Sequence, residues 1–497
     1  MKRFRTVTLA AVLLTGAAHS QDAPGEAHYY PLQTVDIPDG IVLEVGGLLP
    51  RDDGSLLVCT RRGDIWHVAD PWGEAPQWTL WCDGLQEPLG LLADGDAVLC
   101  GQRGELTRIR DTDGDGHADS FEVIADDWDI SGNYHEYCFG PRRDAEGNLW
   151  LTLNRPFGEE WFGKVDWRTF ALRIRPDGTV EKVAAGLRSP AGVEVAPWGD
   201  VFYTDNQGEW CGASKLSQIV PGSFHGHPMR VDDTELPGSM VERPAEIIDG
   251  ILFPEAAKRV PSLQLPAVWF PYDKTGRSPS GMAWDRSDGG FGPFAGQLFV
   301  GDQYGANVLR VFLEQVDGHW QGACFRFREG LASGVIRVGF DDAGLVVGSS
   351  DRGWPSLGKD SFGLERLTWS GETPFEILEM RATPDGFLLK TTQAVDVDTL
   401  VPDSFALESY TYEWHSTYGS DEMDKQQLRI VSVEAVAGSG MTAFVLRVEG
   451  LREGYVHELT SAGLRAAGSG YPLLHPRAWY TLIKRPVDGG GSEGAGR

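Results

Sequence analysis

The chain has 497 residues, with 72 acidic against 44 basic side chains and a formal charge of -28 at pH 7. That length allows a substantial core and more than one domain, while so acidic a surface repels nucleic acid and anionic membrane and favours cations or basic partners. After the first 20 residues no run reaches the roughly 18 apolar residues of a membrane helix, so no membrane span is expected.

In chain order, residues 1–20 read as a signal peptide. Lys2, Arg3 and Arg5 precede the apolar run TVTLAAVLLTGAA, and Ala18-His19-Ser20 supplies small residues at a cleavage-site spacing. The protein is therefore expected to be periplasmic or secreted. Export permits disulfides, and the six cysteines, Cys59, Cys82, Cys100, Cys138, Cys211 and Cys324, are expected to pair. None stands in a CxxC or CxxCH motif, which excludes covalent c-type haem. Any electron-transfer role would need an external acceptor such as a cytochrome c.

From residue 30 to 370 one pattern recurs: a short apolar strand, a Gly/Asp turn, a second strand rich in Val, Leu or aromatic residues, and a polar loop. It begins at Gly47, Leu89, Cys138, Ala191, Ser280 and Val335. Asp-Gly and Gly-Asp punctuation marks hairpins, and short strands at this repeat length are the pattern of propeller blades. The expectation is an all-β chain, a six-bladed β-propeller over 30–370 with a rim or lid between Arg230 and Phe270. Residues 374–486, alternating apolar and polar, read as a small C-terminal β-sandwich. Residues 487–497, VDGGGSEGAGR, read as a disordered tail.

Within the second unit, DTDGDGHADSFE has the spacing of a calcium loop. Asp111, Asp113 and Asp115 stand at positions 1, 3 and 5, Gly116 at 6, His117 at 7, Asp119 at 9 and Glu122 at 12. With no helix pair around it, a calcium-bound loop is expected to be a structural clip; the alternative is a solvated acidic turn. Further on, NYHEYCFGP places His135 just before the third unit's inner strands, where propeller side chains reach the central funnel. A neutral imidazole there is suited to take a proton from a hydroxyl; the alternative is a rim or core histidine. Glu136 either orients that imidazole or, if the segment is extended so that adjacent side chains diverge, serves another partner.

His225 and His227 in SFHGHP read either as two metal ligands or as funnel-lining residues of a turn. Arg188, Lys274, Arg277, Arg352 and Lys359 fall in equivalent loops, beside Asp205, Asn206, Gln207 and Glu209 in one unit and Asp302, Gln303, Tyr304 and Asn307 in another. Basic residues so placed suggest an anion-binding funnel. In the C-terminal region His415, Glu422, His457 and His475 are candidate metal ligands, and YTYEW a candidate packing surface.

The segments NYHEYCFGPRRDAEGNLWLTLN, GLRSPAGVEV, TDNQGEW, LSQIVPGSFHGHP and GQLFVGDQYG resemble the soluble quinoprotein sugar dehydrogenases. The RGW, GLERLTWSGETPFEI and YTYEWHSTYGSDEMD segments are more similar still to exported L-sorbosone dehydrogenase-like and "membrane-bound dehydrogenase" propellers of environmental bacteria. The resemblance spans nearly the whole mature chain. It implies pyrroloquinoline quinone (PQQ) and calcium as cofactors and a sugar or polyol as substrate. His135 would be the base and Arg188 would sit near the reactive carbonyl of the cofactor, with Gln207, Lys274, Arg277 and Arg352 as further cofactor contacts. Ser189 stands where these enzymes usually place an asparagine. Three readings follow: a calcium-dependent quinoprotein oxidoreductase, a cofactor-free propeller lyase or hydrolase acting on carbohydrate, and a non-catalytic carbohydrate-binding propeller.

Overall fold

A computed structural model describes residues 23–158 and 163–487, with the backbone of 493–494. The expected signal peptide and most of the expected tail lie outside them. Five antiparallel four-stranded sheets stand as separate blades. The first runs from Val45–Pro50 to Gln77–Cys82, the second from Leu91–Asp94 to Ser120–Ala125, and the third from Cys138–Arg143 to Val180–Ala184. The fourth holds Pro190–Val195, Val201–Asp205, Ser214–Gln218 and Val268–Phe270. The closing blade takes Val335–Phe340, Gly344–Ser350 and Phe362–Thr368, and borrows Leu32–Thr34 from the N-terminus as its outer strand.

Blade hairpins turn where the sequence puts Asp and Gly. Asp144 Oδ1 accepts the amides of Glu146 and Asn148, and Asp341 Oδ1 those of Ala343 and Gly344. These side-chain turns relieve the backbone of ladder bonding for two residues and reverse it. The second strand of each hairpin, such as Leu56–Thr60 or Leu149–Leu153, is buried on both faces, which is why it reads as a continuous apolar run.

The six-bladed propeller with a separate sandwich is corrected by the sheet order. Where the fifth repeated unit was expected to form its own blade, Pro279–Trp284, Leu298–Asp302, Asn307–Val316 and His319–Arg328 open a twelve-stranded sheet. That sheet continues through Arg477–Leu482 and Tyr455–Thr460 to the remaining C-terminal strands. The unit and the C-terminal region are one hydrogen-bonded body. Its first strand packs between those of the fourth and closing blades, so inner strands ring the central channel.

One core runs across this junction: Trp269 of the fourth blade is buried with Tyr410, Tyr412, Trp414 and Trp479. The 230–270 segment, expected as a rim or lid, is instead the dock for the C-terminal region. Its strand Ile251–Leu252 pairs with Glu413–Trp414, and the helix Phe253–Arg259 buries Phe253 beneath Trp269.

Candidate active site

The inner ends of the blades enclose a cavity of about 290 Å³. His135 enters it through a fixed turn. Asn133 Oδ1 accepts the amides of His135 and Phe157 at 3.1 and 3.2 Å, and the imidazole stacks on the Phe157 ring with centroids 3.6 Å apart. Nδ1 lies 2.7 Å from the carbonyl oxygen of Arg155. A carbonyl only accepts, so Nδ1 carries the proton and Nε2 is an unprotonated acceptor. Burial, opposed by the Arg155 bond and reinforced by the charges of Arg188, Arg155 and Arg61, holds His135 well below the ordinary histidine range. The ring is neutral at physiological pH.

Ser189 Oγ is 3.3 Å from Nε2 and accepts from Asn154 Nδ2 at 3.1 Å. The buried Asn154 Oδ1, on the cavity wall, has no hydrogen-bond partner among the described residues. Asp205 fixes the turn into the fourth blade by accepting the amides of Ser189 and Arg188 at 2.6 and 3.1 Å. Glu136 plays no part: it is buried away from the imidazole, accepting from the Ser131 amide and hydroxyl at 2.7 and 2.6 Å.

Among the described residues four arginines, Arg61, Arg188, Arg277 and Arg337, line the cavity, and no carboxylate does. Arg188 is paired behind the wall with Glu209 at 3.2 Å, between the rings of Phe157 and Tyr418. A Cβ on Gly208 would fall 2.0 Å from Arg188 Nε, so only glycine leaves room for this guanidinium. Arg61 pairs with Glu87 and donates to the Tyr137 hydroxyl, and Arg277 pairs with Asp273 and lies over the Tyr304 ring. Arg337 is 5 % exposed and donates to the carbonyls of Leu89, Ala191 and Ile336. Burial, with Arg142 and Arg61 adding repulsion, pushes it down to about 9. A buried cation served only by neutral carbonyls is costly, and an anion in the cavity would offset that cost.

Of the residues expected from the sequence, His135, Arg188 and Arg277 meet at this cavity. Gln207 donates to the Gly212 carbonyl and faces an adjoining cavity. Lys274 is held by Glu422 and Glu458 at 2.7 and 2.6 Å, and Arg352 by Glu44 at 2.6 Å; neither lines the cavity. Arg61, Arg337, Asn154, Phe157 and Trp354 also line it, with no motif in the sequence that marks them. The one available signal was an arginine inside the apolar strand VIRVGF, where burial demands a reason.

In the expected calcium loop, carboxylates of Asp111, Asp113 and Asp115 lie within 4.8 Å of one another. Asp119 turns to Thr112, and Glu122 to Arg108 and Arg110 at 3.1 and 3.4 Å. His117 donates its amide to Asp115. The loop joins the two outer strands of the second blade and contributes nothing to the cavity.

His225 is buried with Nε2 2.9 Å from Ser223 Oγ, and His227 with Nδ1 accepting the Met229 amide. Among the described residues neither gathers two further metal ligands. The expected disulfides are corrected: all six cysteines are free and buried. They serve as small apolar residues of the blades, and burial pushes the thiols of Cys59, Cys82, Cys138 and Cys211 up to about 12.

The chain is thus a β-propeller protein with an arginine-lined cavity. Residues 64–229 match a family described as a domain of unknown function, DUF7133. No curated protein sequence matches the chain. Among solved structures it is similar to a glucose dehydrogenase at 18 % identity and a TM-score of 0.48, over 68 % of this chain and 99 % of that one. It is similar to the apo-form of the soluble aldose sugar dehydrogenase of Escherichia coli at 16 % and 0.46, over 68 % and 99 %. A third is the PQQ-bound aldose sugar dehydrogenase of Streptomyces coelicolor, at 14 % and 0.44, over 69 % and 100 %. Shared architecture alone does not choose a chemistry.

Proposed function

We propose that the protein is an exported quinoprotein oxidoreductase that oxidises a hydroxyl of a sugar or polyol. The observation that carries the reading is a neutral His135 with an unprotonated Nε2, on the wall of a cavity lined, among the described residues, by four arginines and no carboxylate. A planar polyacid such as PQQ fits this donor set. Arg188, Arg277 and Arg337 would meet its carboxylates, Phe157 and Trp354 its faces, and the unpartnered Asn154 Oδ1 a ring N–H. When bound, PQQ supplies an acceptor for the hydrogen and two electrons leaving a carbinol carbon.

The chain's own residues do the rest. His135 Nε2 takes the hydroxyl proton, and the Arg155 carbonyl on Nδ1 stabilises the imidazolium that forms. Ser189, held by Asn154, orients the same hydroxyl. An external acceptor such as a cytochrome c would reoxidise the protein. Calcium would be held by Asp111, Asp113 and Asp115 as a clip on the second blade, away from the chemistry.

A second reading, hydrolysis of carbohydrate without a cofactor, is favoured by one distance: Ser189 Oγ at 3.3 Å from His135 Nε2 is a nucleophile–base arrangement. Adding PQQ and calcium to the purified protein decides between them. The first reading expects a change in quinone absorbance and dye reduction with a sugar panel. No absorbance change, with hydrolysis that Ser189→Ala abolishes, would replace it with the second.

A further inference from the structure

A second cavity of about 810 Å³ adjoins the arginine cavity and shares Tyr272 and Tyr418 with it. Its size lies within the roughly 300–1,000 Å³ usual for ligand sites. Nearly all of its wall comes from residues 412–425 of the C-terminal region. That segment is sewn to the fourth blade by main-chain bonds: the Trp210 amide donates to the His415 carbonyl at 2.8 Å, the Gly419 amide to Gly208 at 3.1 Å, and the Ser420 amide to Gly212 at 2.8 Å. Ser416 adds amide and hydroxyl bonds to Asp249 at 2.8 and 2.6 Å. The His415 ring closes the turn on the Gly419 carbonyl at 2.6 Å. A loop anchored at so many points is a fixed wall rather than a lid.

An aromatic side chain shared by the two cavities is left open: Tyr418 is 58 % exposed, over the Arg188 guanidinium at 5.2 Å. Such a face stacks on the C–H surface of sugar rings. With it the second cavity holds hydroxyls of Thr417 and Ser420 and carboxylates of Glu413, Asp421 and Glu422, the last balanced by Lys274 and Lys425 at 2.7 and 2.6 Å. Carboxylates accept from sugar hydroxyls and repel acidic glycans. The polarity of this cavity is therefore opposite to that of its neighbour.

We propose that the C-terminal region builds a chain subsite, in which the second cavity receives further rings of a neutral oligosaccharide whose terminal ring reaches His135. The proposal rests on the reading of the arginine cavity as a sugar-oxidation site, and names its substrate as a chain rather than a single ring.

Calorimetric titration of the full protein with glucose, mannose and xylose, and with their α- and β-linked oligomers up to five units, tests it. Affinity in one series should rise on the order of tenfold from one ring to three and then level off. Thr417→Ala with Asp421→Ala, both lining only the second cavity, should remove that rise at unchanged melting temperature and unchanged single-ring affinity. A flat length profile, no binding in any series, or a rise that survives the double variant would overturn the proposal. Length-dependent binding without any quinone response would instead sink the oxidoreductase reading and leave the subsite standing. Dye reduction with a flat profile would do the reverse.

Discussion

At His135 a backbone carbonyl decides where the proton sits. Because Arg155 O can only accept, the lone pair is forced onto Nε2, and because the ring is buried among three arginines it stays neutral far into acid. His135→Gln keeps the size and loses the base, and turnover should fall by about 10²–10⁴-fold with KM little changed. In the native protein the acid limb of kcat/KM should lie well below pH 6.5; an inflection near 6.5 would show that this imidazole is not the titrating base. The histidine's place was legible, since NYHEYCFGP precedes an inner strand, whereas the sequence left the role of Glu136 beside it open. Arg155 and Phe157 were not, because they follow the next strand and meet His135 only through the turn that Asn133 closes. The resemblance implies Arg352 and Lys274 as cofactor contacts, but carboxylates distant in sequence, Glu44, Glu422 and Glu458, hold them outside the cavity.

Elements impose a different kind of constraint. The acidic loop is preformed, since Asp111 accepts the amides of Gly114 and Gly116 at 2.8 and 3.0 Å, yet three carboxylates within 4.8 Å repel one another. Millimolar calcium should raise the melting temperature by about 2–4 °C, and Asp113→Asn should abolish that rise while slightly stabilising the chelated protein. Equal melting in calcium and in chelator would remove calcium from this loop. The N-terminal helix Glu26–Tyr29 is tied down by His475, which lies 2.8 Å from Glu26 and against Glu376, with Arg328 also facing Glu26 at 3.6 Å. Burial alone would lower this histidine, but Glu376 and Glu26 outweigh it and raise it to about 9. A raised folded value means stabilisation fully present below about pH 6.5 and lost as pH climbs through 9. His475→Gln should cost roughly 3 kcal/mol at pH 6 and much less at pH 10. Equal losses at both pH values would contradict the charge pairing.

Across the whole molecule, repeated hairpins made the blades readable from local pattern, whereas the merging of one repeat with the C-terminal region was invisible. It rests on pairing between His319–Arg328 and Arg477–Leu482, where Gln321 and Tyr480 meet 159 residues apart in sequence. No periodicity encodes such a partner; both strands are buried along most of their length, as inner blade strands also are. The bond from the Trp269 amide to Thr481 Oγ1 at 2.8 Å and the buried Tyr410, Tyr412, Trp414 and Trp479 extend the junction into the fourth blade. Removing residues 374–497 would expose Trp269, Cys324 and the open edge of a ten-residue strand, and an unpaired apolar edge is a template for association. A chain ending at residue 373 should therefore aggregate or melt without cooperativity, rather than behave as a free propeller. If it ran as a monomer in size-exclusion chromatography and melted cooperatively within a few degrees of the full chain, the junction would be a docking of independent domains and not a shared core.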